Sequence, residues 1–281
     1  MRHLFLLLLL IPSFVFAEQP TSVDSKVLHA IKVIKGSYGD DVSVSRKQKS
    51  LLKYGRNEGV GTSAATIMDL AGSEVAETYV AGNLITHIAS ASTDDTTQTI
   101  TVEGHTISGG NLTFSTQTVA IAGRTKTALT TPIARATRAY VSSGSTDLTG
   151  PVYIAQDVTF TNGVPQTDSA VHLIIPAGRN QTRKASTSLS SQDYWIVTQF
   201  YCDVLEKTTT TFATTELEVR ELGGVFLGQA QVSCSDSHRG PFTFDPYLVI
   251  PKNSDVRLQA TASTSGVDVS GGIQGYLAVI E

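Results

Sequence analysis

The sequence is poor in charge and in reactive side chains. Of 281 residues only 16% are charged, two are cysteine, two methionine and one tryptophan, whereas soluble domains usually carry ~25% charge. A net charge of −4 gives no general attraction to phosphates, which excludes nucleic acid as a partner of the whole chain. The motifs that carry common chemistries are missing as well: there is no G-x-S-x-G elbow, H-E-x-x-H, Walker loop, EF-hand loop or C-x-x-C. Six histidines, His3, His29, His87, His105, His172 and His238, stand far apart without metal-ligand spacing. The sequence therefore reads as non-enzymatic, with no cofactor and no metal. Long apolar runs are scarce too. Leu4–Phe16, in "MRHLFLLLLLIPSFVFAEQ", is shorter than the ~20 residues that span a bilayer. With Arg2 before it and Ala17 ahead of Glu18, it has the layout of a secretory signal over residues 1–17, whose removal leaves no stable membrane anchor.

What is abundant is Thr, Ser, Val and Ala, a composition that favours strands. Residues 18–58 read as an N-terminal arm. In it, Val23, Val27, Ile31 and Ile34 recur at helical spacing, with Asp24 or Ser25 as cap and Gly36 as stop. A basic run follows, Arg46, Lys47, Lys49, Lys53 and Arg56 around Leu51-Leu52, which reads as a solvated helical face or as an anchor to an acidic surface. From Gly59 onward short alternating runs are broken by Gly, Pro, Asn and Asp, the pattern of antiparallel β-sandwich, jelly-roll-like domains. Turn chemistry thickens over Asp157–Pro165, so a small β domain over 59–155 and a larger sandwich over 156–281 are expected. Val102–His105 and Asn162-Gly163 look like hairpin turns.

The larger domain holds the candidate site residues. "SQDYWIVTQFYCDVL" is apolar on both strand faces, as for a central strand covered twice or a strand buried against another subunit. Tyr194, Trp195 and Tyr201 are candidate interface residues of a homo-oligomer, most simply a trimer; a sugar-binding platform of these three with Phe200 is the competing reading, and core packing the plainer one. Alternation puts Cys202 on a face with Ile196, Phe200 and Val204, and Cys234 with Ala230 and Val232; a disulfide and two buried thiols both fit. Asp94-Asp95 suits a cation or an acidic turn, and Asn111 and Asn180 open glycosylation sequons. "YLVIPKNSDVRLQATAST" reads as strand, corner, strand. Tyr247, Val249, Val256, Leu258 and Ala260 form its buried face, and Pro251 with Asn253 or Asp255 shapes the corner.

Seven segments carry a further signal: "LLKYGRNEGVGTS", "TVEGHTISGGNLTFSTQT", "LTTPIARATRAYV", "GPVYIAQD", "IPAGRNQTRKASTSLSSQDYWIVTQFYCDVLEK", "LEVRELGGVF" and "YLVIPKNSDVRLQATAS…VSGGIQGYLAVIE". In this order they resemble virion structural proteins of tailed phages of marine bacteria, from about Lys49 to Glu281. The resemblance implies a capsid-decorating, head-fibre or tail-associated role in the virion, with other virion proteins as partners. The signal-like residues 1–17 imply a different placement: an exported, secreted or periplasmic cell-surface β-sandwich protein or adhesin with a surface glycan as ligand.

Overall fold

The computed structural model describes residues 49–69, 77–144, 146–205, 211–235 and 238–279. The signal-like segment, the helix expected over 23–36, and Arg46 and Lys47 lie outside them.

Among the described residues alternating Thr- and Val-rich runs become strands, joined by turns and by a 3-10 turn, Asp168–Ala170. In chain order the strands are β1 (Lys49–Val60), β2 (Ala65–Thr66), β3 (Ile85–Ser90), β4 (Thr99–Ser108), β5 (Asn111–Ala120), β6 (Thr127–Ile133), β7 (Arg135–Ser143), β8 (Val152–Gln156), β9 (Phe160–Thr161), β10 (Val164–Pro165), β11 (Val171–Ile175), β12 (Ser186–Ser188), β13 (Asp193–Val204), β14 (Phe212–Glu221), β15 (Leu227–Ser235), β16 (Gly240–Ile250), β17 (Ser254–Ala262) and β18 (Val267–Val279). All their pairings are antiparallel.

Eight of these strands form a sandwich of two sheets, ordered β1-β18-β13-β16 and β12-β17-β14-β15, with β2 on β17. Their pairing is nested: β1 with β18, β12 with β17, β13 with β16, and β14 with β15. This is a long antiparallel ribbon folded over on itself, the strand order of a jelly roll. Between β2 and β12 the chain makes a second lobe, in which the sheets β11-β8-β3-β6 and β5-β4-β7 enclose a separate core. Both lobes belong to one compact unit.

Each lobe has its own apolar filling. The jelly roll packs Trp195, Phe200, Leu217, Ile250, Leu258 and Ile273 between its sheets, and the inserted lobe packs Ile85, Ile100, Ile133, Ile154 and Leu173. The expected boundary near residue 155 falls inside β8, which pairs with β11; the second core continues to Ile175. The basic run is likewise strand, not helical face, from Lys49 on, because β1 finds a partner in β18, more than 200 residues away.

Two turn assignments part company. Asn162 and Gly163 have φ of 52° and 78° between the paired Thr161 and Val164, a hairpin turn with both central residues at positive φ. Val102–His105 instead lies inside β4. Gly104 serves close packing there, since a Cβ on it would meet the Arg135 carbonyl oxygen at 2.2 Å; the chain reverses at Gly109-Gly110.

The two-sided apolar character of β13 has a specific cause. The register shifts between Val197 and Gln199, and this bulge carries Trp195 and Val197 to the same inner face as Phe200, Cys202 and Val204. Ile196 therefore does not share a face with Cys202. Likewise Leu248 and Ile250, not Tyr247 and Val249, are the β16 residues packed in the core.

Candidate functional site

Trp195 is fully buried and packs in the core, which removes it from any interface. Tyr194 and Tyr201 are half-buried on the opposite, outer face of β13. Register places them beside Leu52 and Tyr54 of β1 and Tyr276 of β18. These last three are 52%, 37% and 37% exposed. Gly272 lies between Tyr54 and Tyr201 in the register, and Tyr201 lies over it, its hydroxyl 2.7 Å from where a Cβ would stand. The outer face of this sheet is thus an aromatic surface, contributed by β1, β13 and β18.

Among the described residues the basic run is divided between the two faces of β1. Strand alternation sends Lys53 inward, where its Nζ donates to the Thr137 carbonyl at 3.1 Å, while Arg56 turns outward and is held by Asp268 and Glu58. Lys49 is exposed at the end of β1. Burial, with Lys184 nearby, lowers the Lys53 pKa to about 8.

Cys202 of β13 and Cys234 of β15 are joined in a disulfide, their Cα atoms 5.9 Å apart, so the bond ties the two sheets of the jelly roll together. Asp95 is fully buried and its carboxylate is occupied by the Ser90 hydroxyl at 2.5 Å and the backbone N–H groups of Thr149 and Gly150 at 2.8 and 3.0 Å. It orders a turn and leaves little for a cation. Among the described residues no group of three or more His, Cys, Asp or Glu side chains is arranged to hold a metal ion.

The corner "PKNSD" turns out to be the busiest polar region. Asp255, fully buried, accepts from Arg135 Nε at 2.8 Å and the Ser188 hydroxyl at 2.6 Å on one oxygen. Its other oxygen accepts from Arg220 Nε and Nη2 at 3.0 and 2.9 Å. Both guanidinium groups stack on the Tyr79 ring, at 5.2 and 4.4 Å from its centroid, and Phe226 lies under Arg220 and Arg257. Asn253, at φ 55°, accepts from Leu112 N–H and donates to Asn111, both at 2.9 Å. Glu77 closes the cluster by binding Lys184, Ser186 and Tyr79. Arg135, Tyr79, Asn111 and Leu112 belong to the inserted lobe, and Asp255, Asn253 and Arg220 to the jelly roll. A buried ionic joint therefore holds the lobes together. Sequence does not pair Arg135 with Asp255, because they are 120 positions apart. The one hint is an arginine between two alanines in a strand, "ARA".

The two serine hydroxyls in the cluster, Ser186 and Ser188, donate to Glu77 and Asp255 at 2.6 Å each, carboxylates already paired with Lys184, Arg135 and Arg220. His105 and His172, the two deeply buried histidines among the described residues, are held neutral: burial lowers their pKa to about 4 and about 3. His172 contacts Gln156 at 3.2 Å.

No protein-family model and no curated protein matches this sequence. Among solved structures, a viral particle of infectious bursal disease virus is 8% identical over 90% of this chain and 75% of that one, with a TM-score of 0.23. The Gt strain of the same virus gives 12% identity over 83% and 72%, at 0.21, and a VP2 subviral particle 11% over 92% and 77%, at 0.20. At scores this low the likenesses establish no shared fold.

Proposed function

We propose that the chain is a non-enzymatic structural subunit of a virus particle that associates with copies of itself through the outer face of the β1-β18-β13-β16 sheet. The observation that carries this reading is the nested pairing of eight strands around a closed core. Jelly rolls of this order recur in viral capsid and lectin domains and in cupins. A ligand chamber within the sandwich does not suit an interior filled by Trp195 and Phe200, both fully buried. The step from fold to role is by analogy. It is supported by the resemblance to phage virion proteins and by the aromatic outer face, since exposed apolar patches on a soluble protein favour association. Within this reading the subunit decorates the capsid or builds a head or tail appendage, as a homotrimer in contact with other virion proteins.

Mass spectrometry of purified particles tests the role. Peptides of this chain in virions are expected; their presence only in host envelope fractions would overturn it. Light scattering tests the association, and a strictly monomeric mass at micromolar concentration, unchanged by Tyr276→Asp, would count against the face.

A second reading, an exported cell-surface protein, is favoured by one observation, the Cys202–Cys234 disulfide. Such bonds persist in oxidising settings, which include cell and virion surfaces. The same fractionation separates the two readings.

A further inference from the structure

We propose that the cleft where the two lobes meet is a binding site for a carboxylated sugar, the carboxylate taken by Arg138 and Arg179 and the ring laid against Tyr54 and Tyr140. The cleft borders the proposed self-association face and shares Tyr54 with it. The cleft is a hollow of about 430 Å³, built from β1, β7 and the connection over 176–185. It gathers three guanidinium groups in a chain whose net charge is negative.

One of the three, Arg183, is spent on Asp69, at 2.7 Å to each oxygen. The other two keep their charge available. Arg138 lies over the Tyr140 ring at 4.6 Å and donates through Nη2 to Gln181 at 3.2 Å; Gln181 in turn donates to the Tyr54 hydroxyl at 2.8 Å. This chain of contacts fixes the guanidinium plane before any ligand arrives, with N–H groups to spare for a carboxylate. Such preorganisation lowers the entropic cost of binding. Arg179 is exposed, and its side chain makes no ion pair among the described residues. Lys53, inside the same junction, adds positive potential, and Arg138 is one of the charges that depress its pKa.

The ligand class follows from what adjoins the arginines. A second hollow of about 520 Å³ shares Val141 and Asn180 with the first and is lined by Ser142, Ser143 and Thr146 together with Asp147; the Ser142 hydroxyl donates to the Thr99 carbonyl, the Thr146 hydroxyl accepts from Gln98, and Asn180 donates to Asp147. Hydroxyl and amide groups suit the hydroxyls of a neutral sugar ring, and tyrosine faces suit the apolar face of a pyranose. Asp147 disfavours a second anionic group there, which argues against a polyphosphate or a nucleic acid. The arrangement fits one acidic ring followed by one neutral ring.

Calorimetric titration of the full chain tests this, with three probes: a disaccharide bearing one uronate ring, its neutral counterpart, and inorganic phosphate. The uronate probe is expected to bind at least about tenfold more tightly than the other two. Arg179→Ala should weaken it by about tenfold or more, the usual worth of a charge-assisted hydrogen bond, without moving the melting temperature, since the side chain is exposed. Arg138→Lys keeps the charge but loses the fork and the stacking, and should weaken binding as well. Equal binding of uronate and neutral probes would overturn the proposal. So would phosphate binding as tightly as the uronate, uronate affinity unchanged by both variants, or no heat with any probe at millimolar concentration.

Discussion

Replacing Asp255 by Asn keeps the side chain's shape and removes its charge from a fully buried position. Four hydrogen bonds end on the two carboxylate oxygens, from Arg135, Ser188 and twice from Arg220. An amide presents N–H groups where one oxygen stood, so donors face donors on that side, and Arg135, only 5% exposed, is left without a counter-charge. Breaking a buried pair by removing one partner costs about 3–5 kcal/mol. In a domain of this size 1 kcal/mol moves the melting temperature by roughly 2–4 °C, so a drop of roughly 6–20 °C is expected. The substitution should also loosen the lobes from each other. Trp195, the single tryptophan, lies in the jelly-roll core, so its fluorescence reports that lobe alone, whereas far-UV circular dichroism reports both. Urea transitions followed by the two probes should coincide in the parent and separate in Asp255→Asn. Coincident transitions with a loss below about 1 kcal/mol would refute the view that this ion cluster is the joint, because so small a loss is within the range of ordinary surface substitutions.

The remaining predictions concern pH, redox state and packing. His105 and His172 are held neutral in the folded chain, with pKa lowered from 6.5 to about 4 and about 3. The unfolded chain therefore binds more protons below pH 6.5, and stability complete above that value declines as pH falls toward 4 and 3; a urea midpoint that stays flat from neutral pH to pH 4 would contradict this. The disulfide spans 32 positions and by loop entropy contributes about 3–4 kcal/mol, so dithiothreitol should lower the melting temperature of the jelly roll, and no shift would show that the bond contributes nothing. Leu258→Ala, at a fully buried position, should cost about 2–5 kcal/mol in urea denaturation. Lys252→Ala, exposed at the same corner, should stay within about 0.5 kcal/mol.

The all-β class was legible in the residues themselves. Thr-Val alternation has a period of two, Gly and Asn punctuate it, and both signals are local, so strands such as β14 and the Asn162-Gly163 turn could be read directly. In β14 the alternating Leu217 and Val219 pack on the core. Where an irregularity interrupts the period, local alternation gives the wrong face: the bulge after Val197 shifts β13 by one position, so Trp195 and Phe200, which share the inner face, fall on opposite faces of an uninterrupted period of two. Gly104 is a second such case, its small size serving a close approach by β7 and not a turn. The hub on Asp255 was out of reach altogether, since its partners come from β7, β12 and β14 and nothing in the neighbourhood of "PKNSD" names them. Sequence alone determined that this chain makes strands, roughly where they turn, and that motif-based chemistry is missing. Only the tertiary structure decided that β1 closes against β18, that a second lobe is inserted between the first two strands of the jelly roll, and that arginines and tyrosines from both lobes converge on one acid and one cleft. The reason is physical: backbone pairing and charge neutralisation act through space, and they select partners by distance after folding and not by separation along the chain.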